Sequence, residues 1–104
     1  MLLATTDTIP GKTITKCCGI VRGNTIRSRH VGKDLLAALR NLVGGEITEY
    51  TKLLGESREQ ALDRMVEEAK KLGANAIVGV RFSTAEVATH AAEILAYGTA
   101  VVVE

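Results

Sequence analysis

The pattern that most constrains this chain is a long amphipathic helix followed directly by two apolar strands. From Glu49 to Leu72 apolar residues recur at helical spacing, and charged residues occupy the other side. Gly73 supplies the left-handed residue that ends such a helix. Two apolar runs then follow, Ala76–Phe82 and Glu93–Val103, which predict buried strands. The sequence therefore predicts a helix–turn–strand–strand unit over residues 50 to 104.

The last of these predicted strands is apolar on both faces. Its two alternating sets are Ile94, Ala96, Ala100 and Val102 on one side, and Leu95, Tyr97, Val101 and Val103 on the other. One layer of helices covers one face of a sheet and leaves the second face bare. In a chain of 104 residues we expect another copy of the protein to cover that second face.

The first half of the chain carries weaker patterns. Alternation predicts a strand over residues 12–22, a turn at Gly23-Asn24 and a more polar strand over residues 25–31. Helical spacing predicts a helix over residues 33–43. Together these elements predict one domain, residues 1–104, with an α+β fold. We expect a two-layer α/β sandwich, in which two helices lie on one face of a mainly antiparallel sheet of about four strands.

Charge is divided unevenly along the chain. Residues 1–45 hold seven basic and two acidic residues, whereas residues 46–104 hold six basic and ten acidic ones. This asymmetry suits either an anion-binding face or two complementary surfaces that meet when copies associate. Nucleic acid is the less favoured partner, because the basic cluster of Arg22, Arg27, Arg29 and Lys33 precedes every aromatic residue of the sequence.

Nothing in the sequence indicates a membrane or an oxidising compartment. The apolar stretches are far shorter than the roughly 20 residues that span a bilayer, and no signal-peptide pattern occurs at the start. The two cysteines are adjacent and do not form a disulfide framework. We therefore expect a cytoplasmic protein with no membrane partner.

Cys17, Cys18 and His30 are the candidate metal ligands. Thiolates suit soft, heavy-metal ions, but adjacent strand residues project to opposite faces and cannot chelate one ion without a kink. A metal site therefore requires equivalent thiols from neighbouring subunits, and otherwise at least one cysteine is a small buried apolar residue. His30 and His90 stand alone in the sequence and are typical of solvated or hydrogen-bonded histidines.

Catalytic motifs are not convincing. Gly11-Lys12-Thr13 imitates the end of a phosphate-binding P-loop, but Thr6 replaces the first glycine and a strand follows instead of a helix. The serines lack a nucleophile elbow or a neighbouring base. An enzyme is therefore not favoured, although a composite active site between subunits stays open as an alternative.

Several short motifs, taken in order, resemble the YbjQ-like family of bacteria and archaea. They are Thr5-Thr6, Ile9-Pro10-Gly11-Lys12, Cys18-Gly19-Ile20-Val21, Gly44-Gly45 with Tyr50, Leu72 to Val80 and Tyr97 to Val101. The resemblance implies a dodecin-like or YbjQ-like two-layer fold that assembles as a homopentameric ring. The family has no established activity and is often labelled heavy-metal-binding, so the implied function is a ring-forming binding or scaffold protein. Its implied ligand, a metal ion or small molecule at subunit interfaces, is not identified by the sequence.

Two residues depart from the family pattern. Cys17 is an addition beside the single family cysteine at Cys18, and Asn75 stands where many members carry Asp. The second departure removes a charged group that could have served as a metal ligand at that turn.

Overall fold

A computed structural model of the protein describes residues 1–28, 48–88 and 91–104. The elements are β1 (Leu2–Leu3), β2 (Ile14–Ser28), α1 (Thr48–Lys71), β3 (Ala76–Ala88) and β4 (Ala91–Val103). The strands form one sheet in the order β1-β3-β4-β2, in which β4 is antiparallel to both neighbours and β1 is parallel to β3. The predicted helix–turn–strand–strand unit is confirmed, and the sheet is mainly antiparallel as expected.

Helix α1 lies on β2 and β4 through small and flexible apolar side chains. Ala61, Met65 and Ala69 recur every four residues and are fully buried against the sheet. The helix ends where expected: Gly73 adopts a φ of 79°, and its N–H donates to the carbonyl of Lys70 at 3.0 Å. Gly55 lies within α1, which continues from Thr48 to Lys71.

The predicted turn at Gly23-Asn24 is wrong, because β2 runs without a break from Ile14 to Ser28. Gly23 lies directly beneath α1. A Cβ atom at this position would collide with the backbone of Ala61 and Met65. The glycine therefore allows the helix to approach the strand closely, a role that a local sequence pattern does not distinguish from a turn.

The other differences concern the lengths and number of elements. Both β3 and β4 extend beyond the predicted runs, because the two strands continue to pair with each other as far as Ala88 and Ala91. The fourth described strand is β1, not a separate strand over residues 25–31. The helix predicted over residues 33–43 falls outside the described residues, so one of the two expected helices is present in the described part.

The second face of the sheet, away from α1, is partly covered by the chain itself. Ala76, Val78, Val101 and Val103 form a buried cluster there, packed against Ile9 and Ile14. Backbone hydrogen bonds fix this N-terminal cover: the N–H groups of Gly79 and Val80 donate to Thr6 and Ala4 at 2.9 and 3.0 Å. The expectation that another copy supplies the whole cover is therefore wrong for this end of the face, which we call the covered end.

The rest of the second face is bare in the described structure. It presents Ile20, Arg22 and Ile26 from β2, Leu95 and Tyr97 from β4, and Arg81 from β3. The two isoleucines are 72% and 59% exposed, and Tyr97 is 39% exposed. We call these six residues the open patch.

Candidate functional site

The two adjacent cysteines lie at a β-bulge near the start of β2. Cys17 pairs with Val101 and Gly19 pairs with Ala100, so Cys18 is an extra residue between consecutive partners on β4. Gly19 adopts a φ of 111°, which few other residues tolerate. Cys18 packs half-buried against the core under α1, whereas Cys17 is exposed. The two thiols therefore point to opposite faces of the sheet.

This geometry separates the candidate metal ligands rather than bringing them together. Among the described residues, no group of three or more His, Cys, Asp or Glu side chains could hold a metal ion. His30 and His90 lie outside the described residues. Within the described part of one chain, the donors thus do not form a chelating site, and Cys17, Cys18 and His30 remain predicted ligands.

The segment resembling a P-loop serves as part of the N-terminal cover. The N–H of Lys12 closes a turn on the carbonyl of Ile9 at 3.1 Å, and Gly11 adopts a φ of 81°. Thr13 then exchanges two backbone hydrogen bonds with Glu104, each 2.9 Å long. A strand follows this turn as predicted, so no helix N-terminus faces a phosphate here.

Asn75 has a structural role that its sequence position did not reveal. Its side-chain amide donates to the carbonyl of Val103 at 2.9 Å and accepts from the N–H of Val103 at 2.8 Å. Its own N–H donates to the carbonyl of Val101 at 3.1 Å. The amide therefore continues the pairing of β4 beyond the start of β3. An Asp at this position could accept from Val103 but not donate to it.

Buried polar groups fasten the helix to β2. The Thr25 hydroxyl donates to the carbonyl of Ser57 at 3.2 Å, and the Ser57 hydroxyl donates to the carbonyl of Leu53 at 2.9 Å. Arg64 donates to the Asn24 carbonyl of the same strand. Ser57 is fully buried and thus belongs to the packing of α1. Polar residues on the apolar face of a predicted helix are the sequence signal for such links.

A row of three exposed side chains crosses the open patch. Tyr97 on β4 pairs with Arg22 on one side and with Arg81 on the other. Residues paired in this way place their side chains on the same face, so an aromatic residue stands between two arginines in the order of the strands. The sequence did not reveal this row, because the three residues are far apart in the chain and only the strand register brings them together.

The two arginines of the row differ in their surroundings. One terminal nitrogen of Arg81, Nη1, donates to the carbonyls of Thr5 and Val80, each at 2.8 Å. Arg81 thereby holds the N-terminal cover against β3 while three of its five N–H donors remain. Arg22 is exposed, and its side chain makes no hydrogen bond or ion pair with the other described residues. The nearby carboxylate of Glu93 accepts from the Asn24 side chain at 3.1 Å.

These features define a small α+β protein built on one four-stranded sheet, and comparison with known proteins gives its family. All of residues 1–104 match the sequence model of the YbjQ family, described as "Putative heavy-metal-binding". The chain belongs to this family.

Relatives from three organisms match all or nearly all of the chain. A UPF0145 protein of Methanosarcina acetivorans is 61% identical over 97% of this chain and 95% of its own. One from Dehalococcoides mccartyi is 57% identical over 100% of both chains. Another from Thermus thermophilus is 56% identical over 100% of this chain and 91% of its own.

A solved structure shares the fold. The crystal structure of a DUF74-family protein of unknown function from Pediococcus pentosaceus superposes with a TM-score of 0.65. It covers 100% of this chain and 98% of its own at 17% identity. Among the described helices of our protein, none is long and apolar enough to cross a membrane.

The family description implies a heavy-metal ion, and the described residues do not fit one within a single chain. Soft ions are held by two or more converging thiolates or imidazoles. Here the bulge turns Cys18 toward the core under α1 and leaves Cys17 on the other side of the strand. A single exposed thiol does not chelate, so the described part of one subunit supplies no site for a heavy-metal ion.

Proposed function

We propose that this protein is a cytoplasmic, ring-forming binding or scaffold protein that holds its ligand between subunits. The observation that carries the proposal is the outer edge of β2. Within the described residues this strand of 15 residues pairs with β4 alone, so its other edge is open along its whole length. Ile20 and Ile26 lie along this edge strand and are largely exposed. Stable monomers usually shorten, charge or cover an edge of this kind.

A second open edge offers a complementary surface. β1 pairs with β3 at Ala76 and Ile77 only, so from Arg81 to Ala88 the outer edge of β3 is free among the described residues. Pairing the β2 edge of one copy with the β3 edge of the next is a head-to-tail contact. Contacts of this type close into rings when the rotation between copies allows it. Five copies is the number that the family resemblance implies.

The ligand proposed to lie between subunits is a metal ion or a small molecule. If it is a heavy metal, thiols from several copies must converge. Of the two cysteines, Cys17 is the one exposed to a neighbouring subunit, because Cys18 packs beneath α1. Two free thiols also suit the reducing conditions of the cytoplasm.

Native mass spectrometry of the purified protein tests assembly and any copurified ligand together. We expect a five-copy species, and we expect Ile26→Lys to shift it toward smaller species by placing a charge beside the edge of β2. Leu72→Lys is the matched control, because Leu72 is 45% exposed at the end of α1, away from that edge. A wild-type protein that stays monomeric at micromolar concentration would disprove the proposal.

A further inference from the structure

From the row in the open patch we infer a function beyond self-association: Arg22, Tyr97 and Arg81 form a binding site for single-stranded nucleic acid. The inference does not depend on the ring. It rests on the pairing of Tyr97 with both arginines, which fixes an alternating order of cation, aromatic ring and cation on one exposed face. Each spacing between strands is about 4.8 Å, so the row is about 10 Å long.

The chemistry of the row matches the two parts of a nucleotide. Bases stack on exposed aromatic side chains, and any base serves because every base has a flat π face. Guanidinium groups bind phosphate oxygens through paired N–H donors. Arg22 offers all five of its donors within the described structure, and Arg81 offers the three not used on Thr5 and Val80.

Charge around the row favours an anion. Among the described residues, no carboxylate forms an ion pair with either arginine. Glu93, which pairs with Ile26 on the same face, accepts from Asn24 and keeps its negative charge, so the two arginines outnumber it. The row is also open rather than enclosed, since Tyr97 is 39% exposed and Ile20 beside it is 72% exposed. A nucleic-acid strand that crosses the sheet can contact both arginines and the tyrosine ring. A single nucleotide would find no pocket on this open surface to enclose it. The occupant is therefore a nucleic-acid strand rather than a single nucleotide.

The fold places an aromatic residue beside the basic cluster of the first half of the chain. The basic cluster that includes Arg22 has no aromatic residue near it in the sequence, and for that reason the sequence alone does not favour nucleic-acid binding. The strand register places Tyr97 directly opposite Arg22, so the aromatic platform comes from the other end of the chain.

The test is fluorescence anisotropy with labelled oligo-dT and oligo-U and the full-length protein, starting at low salt. Two phosphate contacts predict that the logarithm of affinity falls with the logarithm of salt concentration with a slope of about −1.4. Arg22→Gln should reduce the magnitude of that slope by about 0.7. Tyr97→Leu should weaken binding about ten-fold with the slope unchanged, because stacking involves no counterion release.

Arg58→Gln is the matched control, since it removes the same charge from an exposed position on α1. It should leave affinity and slope unchanged.

Size-exclusion chromatography with light scattering, run on every variant, separates this inference from the proposed ring: the expected result is one oligomeric state throughout. A variant of Arg22 or Tyr97 that alters the oligomer would identify the row itself as part of a subunit interface and overturn the inference.

Three further results would also overturn it. The first is no binding at low salt. The second is binding that responds equally to Arg22→Gln and Arg58→Gln, which indicates general attraction to charge. The third is displacement of the oligonucleotide by a mononucleotide at equal nucleotide concentration, which indicates a site for one nucleotide rather than for a strand.

Discussion

The two faces of the sheet are built from the same strands, yet they have different environments. On the face under α1, residues such as Val21, Ile77 and Ala96 are almost fully buried. On the second face burial ends with the N-terminal cover, and Ile20 and Ile26 are mostly exposed although they neighbour buried residues of β2. The difference shows that apolar residues determine where a strand forms. Which of them stabilise the fold depends on whether another part of the chain packs over them and buries them.

The largest expected effect lies on the covered face, at Gly23. Gly23→Ala should destabilise the protein by at least about 3 kcal/mol, because the new Cβ meets the helix backbone, which cannot yield as a flexible side chain would. Gly55→Ala is the matched control: its nearest neighbour is Arg58 Nη2 at 4.0 Å, and it should stabilise α1 by about 0.5–1 kcal/mol. Urea unfolding followed by circular dichroism measures both. Equal small effects would show that the helix does not pack closely on β2.

A second pair compares the same substitution on the two faces. Ile77→Ala removes a side chain that is fully buried and should cost about 3 kcal/mol at any protein concentration. Ile20→Ala removes one that is 72% exposed and should cost less than about 0.5 kcal/mol in dilute protein. Assembly through β2 predicts that the second cost grows with protein concentration, because association adds to apparent stability. Equal costs for the two variants in dilute protein would contradict the difference between the faces.

The smallest expected effect concerns the two thiols, which belong to different faces. Cys17 is exposed and Cys18 is half-buried beneath α1, so Cys17 should react with a disulfide reagent about ten-fold faster. Single variants Cys17→Ser and Cys18→Ser assign each rate, and both thiols should react alike in urea. Equal rates in the folded protein would mean that the bulge does not separate the two side chains.

Much of the fold could be predicted because its signals are local. The spacing of Ala61, Met65 and Ala69 identifies α1 and its buried side without knowledge of any partner. The alternation along β4 likewise predicted that both of its faces are apolar, and both faces indeed contribute buried residues. In each case the residues that form the pattern lie within the same helix or strand that the pattern predicts.

The remaining features depend on contacts between distant parts of the chain. In the sequence Gly23 indicates a turn, but in the fold it lies beneath α1. Asn75 stands at a possible ligand position, but in the fold its amide pairs with Val103. Cys17, Cys18 and His30 stay predicted metal ligands: the bulge separates the two cysteines, and His30 lies outside the described residues. The family assignment was predicted from ordered motifs and is confirmed over residues 1–104.

By itself, the sequence determined the helix, the two apolar strands that follow it, and the family to which the chain belongs. Periodicity and helix-ending glycines act within a segment, so they can be read without the fold. Only the tertiary structure decided that residues before β2 cover one end of the second face, and that Arg22, Tyr97 and Arg81 share a row. Strand register and covering segments are set by packing across the sheet, where one residue of slip would move every side chain to the other face.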